Sequence, residues 1–441
     1  MRHSQVLRPG VSGLEVWAWA MYDFANSGYT TVVITAVFSA YFVAEVAGNA
    51  PWATFAWTAV LSVSYALIVL TAPVIGAYAD AHANKKRLLL LTTLGCVTFT
   101  ALLYFAGPGA WVWAITAVLI SNFFYGTGEN LIAAFLPELA RTRALGRVSG
   151  WGWSLGYLGG LLSLGLSLAY INWAQAQGQG AGQFVPATML LTAALFALAS
   201  LPTLLLLRER AVPRPPVSAR LASSVRAAWR QVGQTLTHLR DLPDLRRFLL
   251  CTVLYQAGIQ TVITVAAIYA TQAFGFDTQQ TIMLILVVNI TAAAGAFLFG
   301  HVQDRIGHVR AIAFTLLGWM VMIALTWSAQ QKGMFWLAAN IAGLCMGASQ
   351  SAGRAMVGLL APPSMRAEFF GLWGLAVKLA SILGPLTYGL ITWLTRGDHR
   401  QALLVTGLYF AAGLLVLGGV NARRGHGAAL RFALKIHHAT H

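Results

Sequence analysis

Charge is scarce in this chain. Of its 441 residues only 10% are Asp, Glu, Lys or Arg, against about 25% in an ordinary soluble domain. Acid is scarcer still, with 13 Asp and Glu beside 29 Lys and Arg. A chain that is 58% hydrophobic and this short of charge lacks the polar surface to stay dispersed in water, which excludes a soluble globular protein. Cysteine is nearly missing. Cys96, Cys251 and Cys345 each sit inside an apolar run, which excludes a disulfide framework. Also lacking is any nucleophile–base spacing, metal-ligand cluster or glycine-rich phosphate loop. The chain therefore reads as no enzyme and no nucleotide-driven pump by itself, and it implies no cofactor. His82, His301 and His308 fall in loops without ligand spacing, so no metal is expected either.

What is abundant is long apolar sequence. A helical membrane span needs about 20 apolar residues. Twelve runs qualify: 17–44, 52–79, 88–106, 110–136, 147–171, 186–207, 247–274, 279–303, 309–329, 333–360, 368–394 and 400–421. The first is too long for a signal-peptide core and has no cleavage site behind it, so it reads as a span. The predicted fold class is an all-α membrane protein of twelve transmembrane helices in two pseudo-symmetric six-helix bundles.

Basic residues orient the spans, because cytoplasmic loops collect Lys and Arg. With the N-terminus inside, 24 Lys and Arg fall on the inner side, Lys332, Arg396 and Arg400 fall outside, and Arg354 and Lys378 lie within spans. Both termini are thus expected in the cytoplasm. The same bias accounts for the net charge of +16 without nucleic acid as a partner. The longest inner segment divides the chain into a first bundle over 1–207, a linker over 208–246 and a second bundle over 247–441 with a short cytoplasmic tail. After Pro213, Pro215 and Pro216, the linker carries Val217, Leu221, Val225, Trp229, Val232, Leu236 and Leu239 at spacings of three and four, with arginines between. That pattern predicts an amphipathic helix on the inner leaflet.

A repeat ties the two bundles together. Gly76 and Asp80 after the second span match Gly300 and Asp304 after the eighth at an offset of 224. Pro137 and Pro362, Gly146 and Gly371, and Gly159 and Gly384 match at 225. The two Gly-x-x-x-Asp loops end in basic residues, Arg87 in the first and Arg305 and Arg310 in the second. Glycine lets helix ends approach, and the carboxylate faces a helix N-terminus or an arginine across the gap. Paired loops of this kind suit a latch that holds one arrangement of the halves and releases another.

These loops, after spans 2 and 8 of a six-plus-six chain, resemble the loop signature of the major facilitator superfamily. Asp304-Arg305-x-Gly307 is the closer match; the first copy lacks the Arg and Gly after Asp80. Finer features are Tyr22-Asp23-Phe24-Ala25-Asn26-Ser27, Leu136-Pro137-Glu138, Gly146-Arg147-Val148-Ser149-Gly150-x-Gly152-Trp153, Gln350-Ser351-x-x-Arg354, Glu368-Phe369-Phe370-Gly371, Lys378 and Gly384-Pro385. This set is similar to the vacuole-effluxer branch, which includes the autophagy-related fungal vacuolar amino-acid effluxers and many bacterial relatives. Phe24 stands where family members usually have Trp. The resemblance implies the major facilitator fold, transport, and in the fungal members amino-acid export. A monomer in a bacterial inner membrane is the expected setting.

A charge inside the bilayer is costly and marks a functional candidate. Asp23 lies six residues into its span, about 9 Å deep. Glu129 and Arg354 lie deep in spans 4 and 10 at the repeat offset of 225, and Lys378 lies near the middle of span 11. Glu129 and Arg354 are placed to pair across a cavity when it closes on the inside and to part when it opens, or to form a static buried pair. Asp23 with Asn26 suits an amine or a proton, Lys378 a substrate carboxylate, and Gln350 shares a span with Arg354. The expected role is secondary active transport of a small solute by alternating access, with protons and the lipid bilayer as further partners. A larger amphiphile such as a glycolipid or cell-wall fragment stands as the alternative cargo. A non-transporting sensor on the same scaffold stands as the alternative role.

Overall fold

Lipid offers no hydrogen-bonding partner to a peptide group, so an apolar chain must close its backbone bonds within each segment. In a computed structural model, which describes residues 6–439 apart from 83, 142–144, 211–228, 231–232, 234–235 and 363–365, twelve long helices do so. They are α1 (Gly13–Val46), α2 (Ala53–His82), α3 (Lys85–Leu102), α4 (Trp111–Ala133), α5 (Leu145–Ala176) and α6 (Ala181–Leu206). In the second half come α7 (Pro243–Phe274), α8 (Thr278–Ile306), α9 (His308–Ser328), α10 (Lys332–Leu360), α11 (Arg366–Leu394) and α12 (His399–Leu417). Each expected span coincides with one of them to within a few residues. Ten are apolar and long enough to be recognised as membrane spans. The two that fall short, α4 and α10, hold equivalent places in the repeat. They fall short because they are polar, with Ser121, Asn122, Thr127 and Glu129 in one and Asn340, Ser349, Gln350 and Arg354 in the other.

The first span is not uniform. It is α-helical over Gly13–Tyr29, π-helical over Thr30–Ala36, α-helical over Phe38–Tyr41 and π-helical again over Phe42–Val46. The Thr30 and Thr31 hydroxyls donate to the carbonyls of Asn26 and Ser27. Those hydroxyls compete with backbone N–H groups for the same acceptors, and the β-branched run that follows is crowded in a tight turn. The first widened segment, Thr30–Ala36, packs against α7, and the second, Phe42–Val46, against α2 and α4.

Two apolar cores form. One is built from α1–α6 and borrows Ile268, Ile282 and Ile285 from α7 and α8. The other runs from Leu239 to Phe432. The halves meet along α2 against α11, α5 against α8, and α1 against α7. On the face away from the termini two side-chain contacts cross this seam. Phe55 stacks on Trp393 with centroids 5.7 Å apart, and Gln272 Nε2 donates to Asn49 Oδ1 at 3.0 Å. The repeated glycines serve one purpose twice. A Cβ at Gly159 of α5 would strike the Phe24 carbonyl of α1, and a Cβ at Gly384 of α11 would strike the Ala257 carbonyl of α7. Only glycine lets those backbones touch.

On the face that bears the termini, each half is stapled by an acid–arginine pair. Arg210, just beyond α6, donates both guanidinium nitrogens to Glu15 in the first turn of α1, at 2.6 and 2.7 Å. Arg424 does the same to Asp244 in the first turn of α7, at 2.6 and 2.7 Å. In the first half Lys85 also pairs with Glu138 at 2.8 Å, and Glu209 accepts the backbone N–H groups of Lys85 and Lys86 at the start of α3. The expected short tail is in fact a helix, α13 (Ala422–Ala439). The linker helix expected over 217–239 lies largely outside the described residues.

Candidate functional site

The site begins with α1. Trp19 Nε1 donates to the Ile132 carbonyl at 2.9 Å, Tyr22 bonds Thr93 at 2.9 Å and Tyr29 bonds Ser121 at 2.8 Å. These contacts fix α1 against α3 and α4, so Tyr22 is a positioning residue. They turn Asp23 toward α5. Gly152 of α5 has no side chain where the Asp23 carboxylate lies; a Cβ there would overlap its Oδ2. Gly156 makes the same room for Ser27. Asn26 is buried, and neither its carboxamide oxygen nor its nitrogen has a protein partner. An orphaned buried amide is unfavourable by about 1–3 kcal/mol, so it favours a polar ligand or water.

Across the seam, Lys378 of α11 donates to Glu129 Oε2 of α4 at 2.5 Å. The ammonium also lies 5.2 Å from the Tyr65 ring of α2. This ion pair joins the two halves. Lys378 keeps 11% of its side-chain surface and Glu129 keeps 36%, so the acid is the member that solvent reaches.

Arg354 of α10 packs its guanidinium against two indoles, Trp153 of α5 at 5.1 Å and Trp373 of α11 at 5.8 Å. It interacts electrostatically with Asp23, Glu129 and Tyr157. The structure thus brings Asp23, Glu129, Arg354 and Lys378 into one network. In this structure the direct bond of Glu129 is to Lys378, a pairing the repeat register alone does not point to. The reason is geometric: α11 lies along α2 beside α4, while Arg354 is held between aromatic faces on α5 and α11.

Gln350, one turn before Arg354, accepts from Gln256 Nε2 of α7 at 3.1 Å. Gln256 is fully buried and its own Oε1 has no partner. Sequence reasoning missed it, because one neutral amide in an apolar helix raises no alarm. Its signal is register: Gln256 follows Ser27 at an offset of 229, as Asp244 follows Glu15.

The expected latch is only partly in view. Gly76 lines a small cleft between α2 and α4 with Lys85 and Thr127. Arg87 is exposed beside Glu209 in a neighbouring cleft, and Arg310 is exposed in the first turn of α9. The side chains of Asp80, Asp304 and Arg305 lie outside the described ones, as does the surface of Gly300. Gly307, which closes the second loop, has φ of 88°, a left-handed conformation that favours glycine.

Comparison with known proteins agrees with this architecture. A family model described as vacuole effluxer Atg22 like matches residues 51–430. The uncharacterized MFS-type transporter YxiO of Bacillus subtilis (strain 168) is 26% identical over 412 residues, covering 91% of this chain and 94% of that protein. Autophagy-related protein 22 of Cryptococcus neoformans var. neoformans serotype D is 28% identical over 230 residues, 48% of this chain and 42% of the fungal protein. Among solved structures, a bacterial homologue of the human lysosomal transporter Spinster, inward-facing and unoccupied, superposes with a TM-score of 0.66 at 14% identity over 95% of this chain and 97% of that one. A D-xylose-proton symporter gives 0.66 at 14% identity over 93% and 98%. These likenesses establish the twelve-helix major facilitator fold.

Proposed function

We propose that this chain, which belongs to the Atg22-like vacuole effluxer family of major facilitator transporters, exports a small zwitterion of amino-acid type by proton-coupled alternating access. The observation that carries this reading is the Glu129–Lys378 ion pair across the seam between halves. A zwitterion presents one cation and one anion. Its ammonium group replaces Lys378 beside Glu129 and Asp23, and its carboxylate takes Lys378 and the Arg354 fork. Binding thus exchanges a bond between the halves for two bonds to cargo, one on each half. Asn26 and Gln256, with polar atoms unpartnered, complete the polar lining.

In this cycle residues 1–207 and 247–441 act as the two rocking bodies and 208–246 as their tether. The far-face contacts of Asn49 with Gln272 and of Phe55 with Trp393 break as the terminal face closes. The loops at Gly76–Arg87 and Gly300–Arg310 latch that closure. The basic bias of the terminal face makes it cytoplasmic, in a cell membrane, and the protein works as a monomer. Protons enter by protonating Asp23 or Glu129, which frees the base beside each. The two indoles around Arg354 favour a second cargo, a larger amphiphile whose apolar part lies on Trp153 and Trp373.

Ligands that bind the folded state raise its stability. A thermal-shift screen of purified protein against amino acids, peptides, sugars and amphiphiles is therefore expected to single out amino acids. A shift confined to sugars or amphiphiles overturns the cargo assignment. In proteoliposomes loaded with the hit, D23N, E129Q, R354Q and K378Q each lower flux while the fold persists, and full flux in all of them removes the site. Flux indifferent to a pH gradient removes the proton.

A further inference from the structure

The C-terminal helix α13 is joined to the bundle at both ends. Near its start Gly425 lies against Leu360 at the end of α10 and Asp244 at the start of α7. His426 Nδ1 meets the Leu359 carbonyl at 3.0 Å. Toward its other end Phe432 packs edge-on to His238, just before α7, with centroids 5.4 Å apart. All these partners sit at helix ends on the face of the termini. The axis of α13 therefore runs along that face, at the level where the spans leave the hydrocarbon.

The docked side of α13 is small and apolar: Gly425, Ala429 and Phe432 are buried. Leu430 and Leu434, one turn apart, face away from it and remain 44% and 59% exposed. Arg423 and Arg431 are exposed beside them. Within Ala422–Ala439 there are four Lys and Arg and no acid. An exposed pair of leucines flanked by arginines, at interface depth, matches a helix that lies in the headgroup layer with its cations toward anionic lipid. Arg424 is committed to Asp244, so among the described side chains Arg423 and Arg431 are the charges left for that layer.

We propose that α13 is a membrane-surface helix that inserts Leu430 and Leu434 into the headgroup region and binds anionic phospholipid through Arg423 and Arg431. The proposal does not depend on the identity of the cargo.

The test uses the full-length chain with Cys345→Ala and single nitroxide labels at Leu430→Cys, Leu434→Cys and, as a solvated reference, Arg87→Cys. Each is placed in nanodiscs of phosphatidylcholine alone or of equal parts phosphatidylcholine and phosphatidylglycerol. Labels at 430 and 434 are expected to collide more with oxygen than with an aqueous nickel chelate, with the difference growing in the anionic discs. Adding R423Q and R431Q is expected to remove most of that growth. Nickel access equal to that at 87 overturns the proposal, since the helix is then solvated. Low access to both reagents overturns it in favour of a protein covering, and equal immersion in both lipids removes the role of charge.

Discussion

In the first half the charged side chains inside the membrane are the acids Asp23 and Glu129; in the second they are the bases Arg354 and Lys378. On the terminal face the pattern is the opposite, for each half repeats the same signs: an acid in its first helix, Glu15 or Asp244, and an arginine past its last, Arg210 or Arg424. The difference separates two jobs. A pair within a half holds its first and last helices together, and a copied half keeps it unchanged. A bond between halves needs opposite signs on opposite copies, since equal charges facing each other would repel. Glu129 and Arg354 share the repeat register of 225 and carry opposite charge. The repeat therefore transmits place, while chemistry diverges where the halves meet.

Reversing a charge across the seam breaks this arrangement most severely. K378E sets a third acid beside Glu129 and Asp23. Flux in proteoliposomes is expected to vanish, and stability to fall by about 3 kcal/mol, the low end for a broken buried pair because Glu129 is partly solvated. The exchange E129K with K378E is expected to recover the melting temperature; no recovery means that the pair does not join the halves.

The shared glycines sharpen the symmetric side of the comparison. G159A and G384A each force a methyl group onto a carbonyl in α1 or α7. Equal losses of about 1–3 kcal/mol are expected, read by thermal unfolding, with G371A silent because its Cβ meets open space. A loss at one site alone would show that the halves pack differently there.

The staples give the smallest effects. R210Q strips Glu15 of its bidentate partner, and R424Q strips the buried Asp244. Both variants are expected to melt earlier and to keep their flux, since neither residue touches the cavity. Lost flux without lost stability would move these arginines into the transport cycle.

Much of this was legible in one dimension. Span number followed from run length, and the halves from constant offsets at Gly159 and Gly384. The four charges stood out because each interrupts an apolar run. The partners were not legible: Glu129 and Lys378 are 249 residues apart, and Glu15 and Arg210 are 195 apart. Gln256 was hidden because a neutral amide hardly disturbs the hydropathy of α7. In α13, Gly425 and Gly427 weaken helix propensity and disguise the amphipathic pattern as a tail.

The sequence by itself determined that this is a twelve-span membrane protein built twice over, because lipid imposes its hydrogen-bonding and length requirements on every segment separately. Only the tertiary structure decided that Glu129 takes Lys378, that Arg354 rests between two indoles, and that Ala422–Ala439 forms a docked helix. Those choices depend on separations of a few ångströms between distant segments, and electrostatic attraction in a low-dielectric interior changes steeply over that range.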